Sequence, residues 1–274
     1  MPMIQIDLWP DGLPAGHPAN AATRREGVEG TIELRLVHVD ERPRPAMLVC
    51  PGGGYGFRSP RERDNVAGWL NGLGLHAVIV EYRCDRWHHP APLQDAARAL
   101  RLVRQRAGDW GIDPERVGIL GFSAGGHLAA SLACHHDLGS PEAADPIEQQ
   151  SCRPDLAVLC YPVISMLEAA HAGSCDRLLG PAADTELAAY LSLERQVQAD
   201  TPPCFLWHTA DDAVVPVVHS LRFAEACARA EVPCALHVYP NGAHGLNLAT
   251  ADPVVGEWTS SCARWLQQAD WLSS

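Results

Sequence analysis

Apolar residues recur along this chain in two rhythms. Thr31 to Val39 alternates, with Ile32, Leu34 and Leu36 on one side, as a half-buried strand does. The run Ala46 to Cys50 is short and wholly apolar, which predicts a buried strand, and it ends in Pro51-Gly52-Gly53-Gly54, a flexible loop. Further strands are predicted at His76 to Tyr82, Arg116 to Leu120, Asp155 to Tyr161, Cys204 to His208 and Cys234 to Tyr239. Between them the period changes to that of a helix. Leu93, Ala96, Ala97, Leu100 and Val103 share one face of a helix from Pro92 to about Gly108, with proline at its start. Helices are also predicted over Ser123 to His135, Pro216 to Ala230 and Pro253 to Gln268. Strands alternating with helices predict an α/β domain: a mostly parallel central sheet with helices on both faces.

Three stretches break the alternation. Residues 1–30 are rich in Pro, Gly and Ala and are expected to form an irregular N-terminal arm, leaving 31–274 as a single domain. Pro162 to Pro202 holds no clear strand. A structureless loop of that length is rare in a compact domain, so a small helical insertion or lid is expected near residues 163–200. Asp137 to Arg153 is a second, polar excursion.

Gly121-Phe122-Ser123-Ala124-Gly125 fits G-x-S-x-G, with a predicted strand before it and a helix after it. A tight strand-to-helix turn would expose the serine, and the new helix would direct unpaired N–H groups at developing negative charge. A serine hydroxyl needs a base, itself oriented by an acid. His244 lies in Asn241-Gly242-Ala243-His244-Gly245, between the last strand and the last helix. In this strand-turn-helix chemistry the chain order is serine, acid, histidine. His208 precedes the acid and His127 follows the serine by one helical turn, so both are expected to pack. The pairs His88-His89 and His135-His136 read as loop or helix ends. Asp211 and Asp212 compete for the acid, and Asp212 is preferred; the alternative is that the pair caps the helix near Pro216. Oxyanion donors are expected at the amides of Ala124 and of Gly53 or Gly54.

With those residues in place, the chain resembles the α/β-hydrolase esterases, within them the feruloyl- and acetyl-esterase branch of carbohydrate esterases, from about Ala46 to Leu266. Pro51-Gly52-Gly53-Gly54-Tyr55 is similar to that branch's form of the His-Gly-Gly-Gly loop of lipase-like relatives, with proline in place of the histidine. Asp113 to Val117, Gly121 to His127 and Trp207 to Pro216 also resemble the branch. In such enzymes the acid stands four places after the strand-end histidine, which is Asp212. The resemblance implies the α/β-hydrolase fold and hydrolysis of acetyl esters on sugars such as acetylated xylan fragments, with no cofactor and no metal. Tyr55 and the insertion are its candidates for a sugar-contacting rim.

Composition narrows the partners. The chain has 274 residues and a formal net charge of −12, which disfavours nucleic acid and anionic membrane surfaces. The expected partner is a small-molecule or oligosaccharide ester. The start lacks a basic region followed by an apolar run, and no stretch approaches the ~20 apolar residues of a membrane helix, so a cytoplasmic setting is expected. Ten cysteines without C-x-x-C spacing, most inside apolar segments, are expected to be reduced and structural. A short-chain carboxylesterase or a peptidase would use the same triad. A glycosidase would need paired carboxylates that cannot be located here, and a binding module would have no need of the whole constellation. Oligomeric state has no signal in the sequence.

Overall fold

The computed structural model describes residues 4–14, 25, 28–37, 42–181 and 184–272. Among these, one sheet has eight strands: β1 (Ile4–Asp7), β2 (Thr31–Arg35), β3 (Arg44–Cys50), β4 (His76–Glu81), β5 (Ile112–Phe122), β6 (Ala157–Cys160), β7 (Cys204–Thr209) and β8 (Cys234–Tyr239). Their spatial order is β1-β2-β4-β3-β5-β6-β7-β8. The β1–β2 and β2–β4 pairs are antiparallel and the others parallel. The sheet stays open at β1 and β8, and this is the expected mostly parallel α/β-hydrolase architecture.

The central strands are apolar without alternation because both of their faces are covered. Six consecutive residues of β4, and Pro45 to Cys50 of β3, are buried. Their side chains divide by the period of two. Leu48, Val78, Val80, Ile119, Leu159 and Leu206 join one core layer. It is closed by α2 (Ala91–Gln105), α4 (Ala124–Cys134) and α7 (Val218–Arg229), through residues such as Leu100, Leu128 and Phe223. Met47, Val49, Ile79, Leu120, Val158 and Trp207 join the other layer. It is closed by α1 (Asp64–Gly72) and α8 (Glu257–Gln268), where Trp258 stacks on Trp207 with ring centroids 5.1 Å apart.

Several boundaries differ from expectation. The N-terminal arm contains β1, whose Ile4 to Asp7 pair with Leu34 to Thr31; four residues at a sheet edge carry too short an alternation to be read. Residues 15–24 and 26–27 of the arm lie outside the described residues. Strand β2 ends at Arg35 rather than Val39, and 38–41 also lie outside. Helix α1 was not anticipated after the glycine loop, because DNVAGWLNG mixes two glycines and two asparagines into its apolar stripe. The helix read as Pro92 to Gly108 is α2 followed by the single turn α3 (Ala107–Trp110), closed by Gly111 at φ 65°. Strand β5 is longer than Arg116 to Leu120. The insertion is helical as expected, with α5 (Ala172–Leu179), α6 (Thr185–Tyr190) and a 3-10 turn at Leu193–Arg195. The excursion over 137–153 is fastened to α2 by Arg98, Arg101 and Arg104, which bond Glu148, Asp137 and the Ser151 carbonyl. Among the described residues no helix is long and apolar enough to cross a membrane.

The turn from β5 into α4 is the tightest place in the fold. A Cβ on Gly121 would lie 2.1 Å from the Gly125 carbonyl oxygen, and one on Gly125 would lie 2.1 Å from that of Cys50. Only glycine lets the two strands and the helix approach this closely. Gly125→Ala is therefore expected to cost about 3 kcal/mol by forced backbone movement, seen as a lower urea midpoint. Gly68, inside α1 with open space around it, is the control. Gly68→Ala should stabilise by about 0.5–1 kcal/mol, and equal effects at the two glycines would refute the steric account.

Candidate active site

Ser123 stands at the carboxyl end of β5 with φ 53° and ψ −118°, a conformation L residues rarely adopt. Its backbone is held by Ser123 N–H to Cys160 O at 3.0 Å, and by Val163 N–H and His127 N–H donating to its carbonyl. Strain of this kind persists only where the surroundings over-determine it. The side chain is raised to the surface of a cleft of about 550 Å³ lined by Gly53, Gly54, Phe57, Arg61, Glu62, His171, Arg177 and His244, among others.

His244 comes from the loop after β8. Its Nε2 lies 2.8 Å from Ser123 Oγ, and its Nδ1 lies 2.7 Å from Asp212 Oδ2. A carboxylate only accepts, so Nδ1 carries the proton and Nε2 accepts from the serine hydroxyl. The loop itself is fixed. Gly242 N–H donates to Asp211 Oδ1 at 2.7 Å, and Thr209 Oγ1 donates to the Gly242 carbonyl at 2.8 Å. Farther on, Trp258 Nε1 donates to the Asn247 carbonyl at 3.0 Å. The Tyr161 ring meets His244 edge-on with centroids 5.0 Å apart.

The two aspartates are thus separated by role. Asp212 faces the imidazole, and its Oδ1 accepts from Val214 and Val215 N–H, both at 2.9 Å. Asp211, itself exposed, braces the histidine loop through Gly242. Burial opposes ionisation of Asp212, but hydrogen bonds from His208, His244 and Val215 outweigh it and hold the carboxyl well below its usual range. His208 packs as expected: its Nδ1 is 2.8 Å from Ser220 Oγ and its Nε2 is 2.8 Å from the Val215 carbonyl. His127 also packs, between Tyr55 and the Leu191 carbonyl, and burial pushes its imidazole down to about 3.

The glycine loop lies beside the serine. Gly53 has φ 129° and Gly54 φ 59°, and a Cβ on Gly53 would lie 2.2 Å from the Phe57 carbonyl oxygen. Among the described residues the N–H groups of Gly53, Gly54 and Ala124 meet no protein acceptor, whereas Gly52 N–H is taken by Glu62 Oε2 at 2.7 Å. Tyr55 does not reach the cleft. It is 1% exposed, with its hydroxyl 2.8 Å from His127 Nδ1 and its ring edge-on to Tyr82, so it supports the loop from within and forms no rim. The insertion does reach the cleft, through His171 and Arg177.

Glu62 escaped the sequence reading because it sits in the charged run Arg58-Ser-Pro-Arg-Glu-Arg-Asp64, which looks like a solvated surface. It is in fact 5% exposed. Besides Gly52 N–H it accepts from the Tyr161 hydroxyl at 2.8 Å, and that hydroxyl in turn accepts Asn247 N–H at 3.0 Å. One carboxyl therefore joins the glycine loop, the ring against His244 and the histidine loop. Burial pushes Glu62 up, while the bonds from Tyr161 and Gly52 and the nearness of His244 pull it down less strongly.

Comparison with known proteins follows the same lines. Residues 32–227 match the BD-FAE family. "Endo-1,4-beta-xylanase B" of Butyrivibrio fibrisolvens is 40% identical over 230 residues, 81% of this chain and 35% of that protein. "Acetylxylan esterase" of Xylanibacter ruminicola is 34% identical over 228 residues, 81% of this chain and 45% of that protein. The chain thus spans less than half the length of these curated relatives. The crystal structure of an acetyl ester-xyloside bifunctional hydrolase from Caldicellulosiruptor lactoaceticus superposes with a TM-score of 0.91 at 44% identity, covering 98% of this chain and 97% of that one.

Two outcomes follow from this geometry. A carboxyl whose folded-state pKa is depressed stabilises the fold above its unfolded value, and that stability is lost as pH falls through the folded value. Wild type should therefore exceed Asp212→Asn in urea stability above about pH 4, with the gap narrowing on acidification; a gap that widens would contradict an ionised Asp212. Glu62→Ala strands two buried donors, and about 1–3 kcal/mol each is expected from calorimetry. Glu62→Gln keeps one acceptor and should lose less, so an inverted ranking would reject the bracing role.

Proposed function

The chain belongs to the BD-FAE family, and from that premise we propose that it is a carbohydrate acetylesterase using Ser123, His244 and Asp212 as a catalytic triad. The observation that carries the reading is the unbroken relay from Ser123 Oγ to His244 Nε2 at 2.8 Å and from His244 Nδ1 to Asp212 Oδ2 at 2.7 Å, opening on the cleft. Relatives named for acetylxylan ester and acetyl ester-xyloside hydrolysis support the acyl group and the sugar. In this reading residues 31–274 act as one hydrolase domain. Ten free cysteines, eight of them buried, favour an intracellular setting in which thiols stay reduced and small oligosaccharides are the substrates.

The chemistry proceeds in two halves. Ser123 Oγ forms a bond to the ester carbonyl carbon while its proton passes to His244 Nε2. The carbonyl oxygen becomes an oxyanion facing the N–H groups of Ala124 and of Gly53 or Gly54, at the amino end of α4. The C–O bond to the sugar breaks, and the departing oxygen takes the proton from Nε2. Water then attacks the acetyl-serine, giving its proton to the same nitrogen, and acetate leaves as Ser123 is reprotonated. Asp212 holds the imidazole and stabilises its cationic form throughout.

Acetate release from acetylated xylo-oligosaccharides tests this directly. Wild type should turn over, and Ser123→Ala should lose on the order of 10⁶-fold in kcat. Retained turnover in that variant would discard Ser123 as nucleophile. Cleavage of 4-nitrophenyl acetate by wild type, without release from the sugars, would leave a short-chain esterase and discard the carbohydrate substrate.

A further inference from the structure

The cleft belongs to a strongly acidic chain, of net charge −12, whose 21 basic residues other than histidine are all arginine. Many of these guanidinium groups sit on carboxylates, among them Arg58 on Glu81, Arg83 on Asp95, Arg98 on Glu148 and Arg104 on Asp155. Arg61 and Arg177 differ. Both are exposed and both line the cleft, and among the described residues neither has a carboxylate within ion-pair distance.

Arg177 is held in place. Its Nη1 donates to the Gly54 carbonyl at 3.3 Å and to the Gly173 carbonyl at 2.9 Å. Both acceptors are neutral, so its charge is not cancelled. Glycine makes the room: a Cβ on Gly56 would stand 2.9 Å from Arg177 Nε and 3.2 Å from its Cζ. Arg61 is anchored through its backbone, since Asn247 Nδ2 donates to its carbonyl, and the residue lines the cleft. Glu62 is the acid among the lining residues, and it offers no compensation at the mouth, being 5% exposed with Gly52 and Tyr161 on its two oxygens.

The remaining wall suits a sugar. Phe57 is 60% exposed at the cleft and presents a ring to the apolar face of a pyranose. An acetyl group fills little of about 550 Å³, so most of the cleft is left for the alcohol portion of the ester. Guanidinium groups recognise carboxylates through charge and a planar fork of donors. We propose that Arg61 and Arg177 form a carboxylate-binding subsite, and that the preferred substrates are acetyl esters of sugars bearing a uronic acid group. This rests on the esterase reading above and specifies its substrate.

The test uses two monoacetylated sugars, methyl glucuronoside and methyl glucoside, which differ in a carboxylate against a hydroxymethyl group. Wild type should show a kcat/KM at least about tenfold higher for the uronate, mostly through KM, and added salt should shrink the advantage. Arg61→Gln and Arg177→Gln should each lower the uronate-to-neutral ratio. Arg177→Lys, which keeps the charge, should retain part of it and guards against a variant that misfolds. Equal kcat/KM for the two sugars in wild type, or a ratio untouched in both glutamine variants, would overturn the subsite while leaving the esterase intact. A preference for succinyl over butyryl esters of one neutral alcohol would also overturn it, by placing the charge on the acyl side. Hydrolysis of neither sugar would overturn the carbohydrate esterase reading and the subsite with it.

Discussion

The organisation of this molecule depends on one steric constraint, the packing of Gly121 and Gly125 where β5 turns into α4. Gly125 lies against the carbonyl of Cys50, the last residue of β3, and Gly121 lies against the carbonyl of Gly125. No side chain fits either position. The chain must therefore turn within Phe122 to Ala124, and Ser123 takes the left-handed conformation that this requires. Three consequences arrive together. The hydroxyl is raised above the sheet, the start of α4 aims its free N–H groups at the same space, and the loop leaving β3 is brought alongside. A strand end, a helix end and a glycine loop are thereby registered by backbone contact, which is stiffer than side-chain contact.

Around that fixed point the flexible parts are tied down by three carboxyls, two of them buried. Asp212 fixes the imidazole and the turn after β7, Asp211 fixes the histidine loop, and Glu62 ties that loop to the glycine loop through Tyr161. Asp212 and Glu62 accept from backbone, imidazole and hydroxyl donors that would otherwise be buried unpaired, while Asp211 accepts from Gly242 N–H at the surface. The acids nonetheless end in different states. Two histidines and backbone N–H groups hold Asp212 ionised, whereas burial dominates at Glu62 and pushes it up. Placing the ionised carboxylate directly against His244 favours the imidazolium that proton transfer from serine would create.

Much of this was legible in the sequence, for physical reasons that can be named. Central parallel strands are buried on both faces, so Ala46 to Cys50 and His76 to Tyr82 announced themselves as apolar runs. The serine turn and the histidine loop were legible because glycines mark positions that only glycine can occupy, and the order of the elements around them left few choices. Elements that depend on distant partners were not. Strand β1 is defined by pairing with β2 rather than by its four residues. Glu62 is buried only because β3, β6 and the last loop converge on it, while its own neighbours are charged. Tyr55 was misjudged for the converse reason: it adjoins the glycine loop in sequence, yet its ring turns inward to His127.

Net charge was the least informative property locally. A total of −12 argues against polyanions approaching at long range, but potentials beyond about 8–10 Å are screened at physiological salt. Within the cleft the nearest groups decide, and there the carboxylates are buried and already bonded while two guanidinium groups face outward. Many arginines elsewhere sit on carboxylates, so two that do not, at one cleft, leave a local excess of positive charge there. Arg61 and Arg177 both stand at the cleft beside Ser123, one on the glycine-loop side and one on the inserted helix α5. An insertion that contributes a cation to the mouth, beside the glycine-packed turn, would separate two tasks: the sheet and its turn would set the chemistry, and the appended segment would set which esters reach it.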